Sequence, residues 1–178
     1  MKKDQFDRYV REMELNSENP NPEIIEALEP YRAKRAIFLA AGFGSRLIPI
    51  TINTPKPLIR VDGIRIIDSA IDACLKAGIE EIYIVRGYLK EQFDTLLYKY
   101  PMIQFIDNPE YDKANNISSA NVACHLFENA YVLEADLVIA NPDIIKKYHY
   151  HSDVLGIKVD TSEEWCLTMD ADGFVLDE

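Results

Sequence analysis

Residues 36–58, AIFLAAGFGSRLIPITINTPKPL, decide how this chain is to be read. AIFLA at 36–40 is an uninterrupted apolar run of strand length, which predicts a strand buried on both faces. A glycine-rich turn follows it directly. Gly42 and Gly44 let the backbone come close to a ligand and present N–H groups to phosphate oxygens, and Arg46 adds a guanidinium that can hold two oxygens at once. Lys56 stands between Pro55 and Pro57, which stiffen the segment around its ammonium. The spacing fits neither GxxxxGK[ST] nor GxGxxG. Taken singly, Gly42 to Arg46 also reads as an ordinary strand-to-helix turn, and TPKP as a loop.

Outward from this stretch, short apolar runs alternate with amphipathic ones. Strands are expected at 36–40, 58–61, 82–86, 103–106, 131–135 and 153–159, and helices at 66–77, 90–98, 117–128 and 143–149. Ile66, Ile67, Ala70, Ile71, Cys74 and Leu75 fall at helical spacing, and Gly78 closes that helix. This alternation predicts an α/β fold with a mostly parallel sheet flanked by helices, whose ligands sit beyond the carboxyl ends of the strands. EWCLTMDADGFVLDE at 164–178 reads as a β-hairpin turning at Asp172-Gly173. Residues 1–33 read apart from 34–178. Lys3 to Leu15 suggests one helix, and Asn21-Pro22 starts another with Asn as cap and Pro at the first position. This helical N-terminal extension is expected to act as a packing arm, a homodimer contact or a lid.

Composition narrows the function. A chain of 178 residues, 48% hydrophobic, has the length and apolar content of one globular domain. The formal net charge of −11 argues against nucleic acid as partner. Lys34, Arg35, Arg46, Lys56, Arg60 and Arg65 nevertheless cluster in one part of the sequence, as expected around a small anion. No apolar run approaches the ~20 residues of a membrane span, and the N-terminus lacks a signal-peptide pattern, so a cytoplasmic location is expected. Cys74, Cys124 and Cys166 lie far apart and read as ordinary small residues, and His149 and His151 as surface residues.

Together, the residues at 39–58 resemble the signature LAAGxGxRLxPxTxxxPKPL of the sugar-phosphate and phosphocholine nucleotidyltransferases. VRGYLKEQFDTL at 85–96, DNPEYDKANNISSANVA at 107–123 and TSEEW at 161–165 are similar to the branch of CTP:phosphocholine and CTP:2-aminoethylphosphonate cytidylyltransferases. The resemblance implies a Rossmann-like sheet of the nucleotide-diphospho-sugar transferase type. It also implies Mg²⁺, CTP or another NTP, and a small phosphorylated acceptor, with CMP transferred to give CDP-choline and pyrophosphate when the acceptor is phosphocholine. Carried over residue by residue, Leu39, Ala41, Gly42, Gly44 and Ser45 line the nucleotide with Gly87, Tyr88, Asn116 and Ser118, while Arg46 and Lys56 act on the phosphates during transfer. Asn115 and Trp165 are assigned to the acceptor, and Asp136 to the metal, with Glu134 in place of the family's first acid.

Alternative readings stand beside several of these. Asn115-Asn116 is also a good helix cap before Ile117. Asp136 also suits a turn after a strand. Trp165 is as readily a core residue as one wall of an aromatic cage, to which Tyr88, Tyr111 or Tyr131 could contribute at roughly 0.5–2 kcal/mol per cation contact. The family's chains continue through further strands that close the acceptor pocket and bring a second metal-binding Asp, whereas this sequence stops at Glu178. A hexose-1-phosphate nucleotidyltransferase and a non-catalytic nucleotide sensor or assembly subunit are the two competing functional readings.

Overall fold

The computed structural model describes residues 1–156, 159–161 and 166–177. Its centre is a four-stranded parallel sheet of β1 (Arg35–Leu39), β4 (Glu81–Arg86), β5 (Gln104–Asp107) and β6 (Ala130–Glu134), in the spatial order β5-β4-β1-β6. β1 is hydrogen-bonded on both sides, which is why its sequence is apolar without alternation. The chain runs from β1 outward through β4 to β5 and then returns to the other side of β1. The order therefore reverses between β1 and β6, where the loops leaving the carboxyl ends diverge and open a crevice.

Successive residues of β1 serve opposite faces, as strand geometry requires. Ala36 and Phe38 join the larger core with Ile67, Ala70, Ile71 and Cys74 of α3 (Ile66–Lys76), together with Phe93 and Leu96. Ile37 and Val85 pack on the other face against Ala123 of α4 (Asn116–Ala123), with Leu126 and Phe127 beyond it. The α/β layering inferred from the sequence is thus the observed one, and Gly78 closes α3 at φ +79°.

Helices α1 (Lys3–Leu15) and α2 (Pro22–Leu28) form where expected, and the Asn21 side chain accepts from the Glu23 N–H at 3.0 Å as the cap of α2. Phe6, Ile24 and Leu28 make a small core of their own with Tyr31, Tyr148 and Tyr150. Tyr31 and Tyr150 stack with ring centroids 5.7 Å apart.

Several local expectations are corrected. Residues 143–149 do not form a helix: a 3₁₀ turn at Pro142–Ile144 gives way to extended chain. The backbone groups that a helix would use are taken instead by Ala33 N–H to Lys147 O at 2.8 Å and His149 N–H to Tyr31 O at 2.9 Å. The strand expected at 58–61 is reduced to β2 (Arg60–Val61), because Lys56–Leu58 turns as a 3₁₀ helix. β2 pairs antiparallel with β3 (Ile64–Arg65) across Asp62-Gly63, both at positive φ, a hairpin signal in VDGIR that the sequence reading passed over. Lys90–Tyr98 is a 3₁₀ helix, and the helix expected at 117–128 ends at Ala123, with a 3₁₀ turn at Cys124–Leu126. Residues 153–156 carry no strand, and 157–158 lie outside the described residues. The C-terminal hairpin is present as β7 (Thr168–Met169) and β8 (Val175–Asp177), with Gly173 at φ +86° in its turn.

Candidate active site at the carboxyl edge of the sheet

The crevice beside β1 and β6 collects residues that lie far apart in the chain. The Lys56 ammonium is hydrogen-bonded to Oδ2 of Asp136, just beyond β6, across 80 residues of sequence. Both side chains are about one third exposed, at 30% and 33%, so the pair sits at the mouth of the crevice and not in the core. Asp136 is therefore the partner of Lys56, whereas the sequence left it between a turn cap and a ligand-facing acid.

The loop between β1 and Lys56 is held in shape by its own contacts. Gly44 adopts φ +64°, where a side chain is strained, and a Cβ there would stand 3.1 Å from Thr51 Cγ2 and 3.2 Å from Lys56 Cβ. The Gly44 carbonyl accepts the Thr51 hydroxyl at 2.9 Å. Gly42, by contrast, has open space where a Cβ would be, so room for a ligand exists at that turn. Ser45 and Arg46 lie exposed on a 3₁₀ turn, and Arg46 has no hydrogen bond or ion pair among the described residues. Ala41 is buried and its carbonyl accepts the Tyr88 N–H at 3.0 Å, and the Leu39 carbonyl accepts Ala135 N–H at 3.3 Å.

After β4, Gly87 is required by packing: a Cβ would lie 2.5 Å from Tyr111 Cβ and 3.0 Å from Ala41 Cβ. Tyr88 is a strut. Its hydroxyl donates towards the carbonyls of Ile52 at 2.7 Å and Thr51 at 3.1 Å, and its ring lies 4.8 Å from that of Phe43, which in turn lies 5.4 Å from Tyr111. The tyrosine assigned to a nucleobase thus has its hydroxyl committed to the loop. Phe43, at the tip of the glycine turn, was not among the residues singled out from sequence. Its position inside GFG was the available signal.

The first turn of α4 closes the remaining side. Asn115 sits at the cap position, but its side chain makes no capping bond, so the cap reading of this residue is not realised. The Asn116 amide donates to Glu134 Oε1 at 2.8 Å. The Ser118 hydroxyl donates to the Asn115 carbonyl at 3.0 Å and accepts from the Asn108 amide at 3.0 Å. Burial, reinforced by the nearby Asp136 charge, raises the Glu134 carboxyl above its ordinary value, and the Asn116 bond and Lys56 partly offset this. Glu134 therefore has a definite partner on α4. At the ends of β4 and β5, Arg86 binds Asp107 at 2.7 Å and Asp94 at 2.6 Å, and its guanidinium lies 4.1 Å from the centre of the Phe105 ring.

Two assignments fall elsewhere. Trp165 lies outside the described residues. His149 is built into the opposite end of the sheet, where its ring meets the Tyr131 hydroxyl at 2.6 Å and Asp153 at 2.7 Å, so Tyr131 is remote from any acceptor cage at the carboxyl edge. Among the described residues, no three His, Cys, Asp or Glu side chains group as a ready-made metal cage.

This arrangement, an ammonium facing a carboxylate at the reversal point of a parallel sheet beside a glycine turn with a free Arg46, is suited to phosphate groups and a hard cation. The chain is 40% identical over 144 residues to a 2-aminoethylphosphonate cytidylyltransferase of Lancefieldella rimae, covering 79% of this chain and 58% of that protein. To a choline-phosphate cytidylyltransferase of Haemophilus influenzae it is 35% identical over 141 residues, with 79% and 60% covered. The solved CTP:phosphocholine cytidylyltransferase of Streptococcus pneumoniae superimposes with a TM-score of 0.60 at 39% identity, covering 63% of this chain and 48% of that one. The chain thus spans roughly half to three fifths of the length of these relatives. Residues 35–164 match the nucleotidyl transferase family throughout, and the chain belongs to that family.

Proposed function

We propose that this chain acts as a Mg²⁺-dependent cytidylyltransferase, which moves CMP from CTP to a small phosphorylated amino-alcohol, phosphocholine in the first instance. The observation that carries the reading is the Lys56–Asp136 pair at the sheet reversal, with the Arg46 guanidinium, unpartnered among the described residues, on the adjoining loop. The cytidylyltransferase branch of the relatives supports CTP over other nucleotides.

In the reaction, an anionic oxygen of the acceptor's phosphate attacks the α-phosphorus of CTP in line, a P–O bond to that phosphorus forms, and pyrophosphate departs with the electron pair. No general base is needed, because the attacking oxygen is already charged. Arg46 grips the outgoing phosphates, and Lys56 exchanges Asp136 for the α-phosphate oxygens, where negative charge grows. Asp136, released by that exchange, would hold the metal. A part-exposed carboxylate set just past a strand end suits an ion that would keep substrate phosphates and water as its other ligands. When bound, Mg²⁺ supplies positive charge to the same phosphates. Tyr88 holds the loop that bears Lys56 in place through Thr51 and Ile52.

The test is pyrophosphate release with Mg²⁺, pairing CTP, UTP, dTTP or ATP with phosphocholine, 2-aminoethylphosphonate or glucose-1-phosphate. Turnover confined to CTP with phosphocholine is expected. Preference for aminoethylphosphonate corrects the acceptor, turnover of the sugar phosphate refutes the cytidylyltransferase reading, and CTP binding without release of pyrophosphate identifies a sensor.

A further inference from the structure

Asn108 is 2% exposed, buried at the carboxyl edge of the sheet among polar groups. It follows β5 immediately, and its N–H donates to the Arg86 carbonyl at 2.9 Å, which fixes its backbone to the end of β4. Its side-chain amide uses both hydrogens on one target: Nδ2 reaches Ser118 Oγ at 3.0 Å and Ser119 Oγ at 3.1 Å, and Ser119 is itself buried. Oδ1 accepts the Glu110 N–H at 2.9 Å. Every hydrogen-bonding direction of this amide except one lone pair is thereby spent.

The two serines belong to the first turn of α4, and Ser118 passes the constraint on by donating to the Asn115 carbonyl at 3.0 Å. On its other side the same turn is tied to β6 by the 2.8 Å bond from Asn116 to Glu134. The turn that carries Asn115, Asn116 and Ser118 therefore spans the carboxyl edge from β5 to β6 and is fastened at each end. The apolar cluster between α4 and the sheet, which includes Ile37, Leu39, Tyr83, Val85 and Ile106 of the strands, takes only Val122 and Ala123 from α4, both in its last turn. Apolar packing does not determine where the first turn sits, so the polar bonds do.

We propose that Asn108 is a positioning residue of the nucleotide site: it sets the place of the first turn of α4, and through it the Asn115 and Asn116 side chains, relative to Lys56 and Asp136. This rests on the cytidylyltransferase reading above. Removing the amide releases the β5 end of the turn and leaves Lys56, on the 3₁₀ turn at Lys56–Leu58, and Asp136, just beyond β6, where they are. Its signature is a weakened nucleotide with unchanged chemistry.

The experiment compares wild type, Asn108→Ala, Ser118→Ala/Ser119→Ala and the triple variant in CTP titrations with Mg²⁺, in steady-state turnover and in thermal unfolding. Asn108→Ala removes both bonds to α4 along with the one accepted from the Glu110 N–H, and is expected to raise the CTP dissociation constant and KM about tenfold and to leave kcat within about twofold. The double-serine variant should lose at least as much CTP affinity, because it also removes the Ser118 bond to the Asn115 carbonyl, and Asn108→Ala should cost no further affinity on that background, because its bonds to α4 are already gone. Tyr100→Phe controls for general loosening, since its hydroxyl binds Asp72 at 2.8 Å on the α3 side, away from α4. It should lower the melting temperature and leave CTP affinity intact. Unaltered CTP affinity in Asn108→Ala, additive effects in the triple variant, or an equal loss of affinity in Tyr100→Phe overturns the inference. A wild-type chain that binds no CTP refutes the proposed function itself, a separate result.

Discussion

Replacing Lys56 by Met keeps the length and apolar stem of the side chain while deleting its charge, and the structure lets its effects on stability and on catalysis be separated. The ammonium and its Asp136 partner are 30% and 33% exposed, so water screens their attraction. A pair of that kind contributes about 0–1 kcal/mol to folding. For a domain of this size, a loss of that order lowers the melting temperature by no more than about 4 °C. Catalysis responds on another scale. A preorganised donor aimed at developing charge is worth about 2.7–4 kcal/mol in the transition state, which corresponds to a fall in kcat of about 10²–10³. Pyrophosphate release at saturating CTP measures the second quantity and differential scanning calorimetry the first. The expected result is a Lys56→Met protein that melts near the wild-type temperature, still binds CTP and turns over at least a hundredfold more slowly. A kcat within threefold of wild type removes Lys56 from the chemistry, and a fall in melting temperature beyond about 10 °C shows that the pair holds the fold together.

Three further outcomes follow from individual contacts. Gly87→Ala places a Cβ 2.5 Å from Tyr111 Cβ and 3.0 Å from Ala41 Cβ, so it should destabilise the chain by about 1–3 kcal/mol in urea unfolding; an unchanged midpoint means that Tyr111 does not hold its place against β4. The bond from Lys90, aided by Arg86, holds the Asp107 carboxyl below its ordinary value of 3.8, and a lowered acid stabilises the fold above its unfolded pKa and loses that contribution as pH falls through the folded one. Asp107→Asn should therefore be less stable than wild type near neutrality, with the gap closing as pH drops through and below 3.8; a gap that is constant with pH refutes the ion-pair account. Burial pushes the Cys74 thiol up to about 12 while Cys124 is exposed, so a thiol reagent at pH 8 should modify Cys124 rapidly and Cys74 only at the rate of unfolding, as peptide mapping would report.

The parallel α/β fold and the glycine turn beside the crevice are legible in residues 36–58 because both depend on local chemistry. A strand flanked by partners on each side must be apolar along its length, a turn at φ +64° favours glycine, and a lysine between prolines is held by covalent stiffness. The same holds for α2, whose Asn-Pro start needs nothing beyond its own residues, and for the C-terminal hairpin with its Asp-Gly turn. Where sequence reading failed, a distant partner had displaced the local preference. Residues 143–149 have an acceptable helical pattern, yet Ala33 and Tyr31 take up the backbone groups of that segment, and Tyr131 anchors it further. Likewise, Tyr88 looks like a free aromatic next to a glycine until its hydroxyl is seen to hold two carbonyls about 36 residues away.

Sequence by itself therefore determined the α/β alternation, the central strand, the glycine turn and the α2 start. Only the tertiary structure decided the side-chain pairings: Lys56 with Asp136, Asn116 with Glu134, and Asn108 with the two serines of α4. Propensity and periodicity act over a few residues, whereas these contacts arise because strands 46 and 95 positions apart in register, Ala36 beside Ile82 and Tyr131, bring their carboxyl ends to one edge. The side chains that meet there are set by sheet order, which no short stretch of the chain encodes.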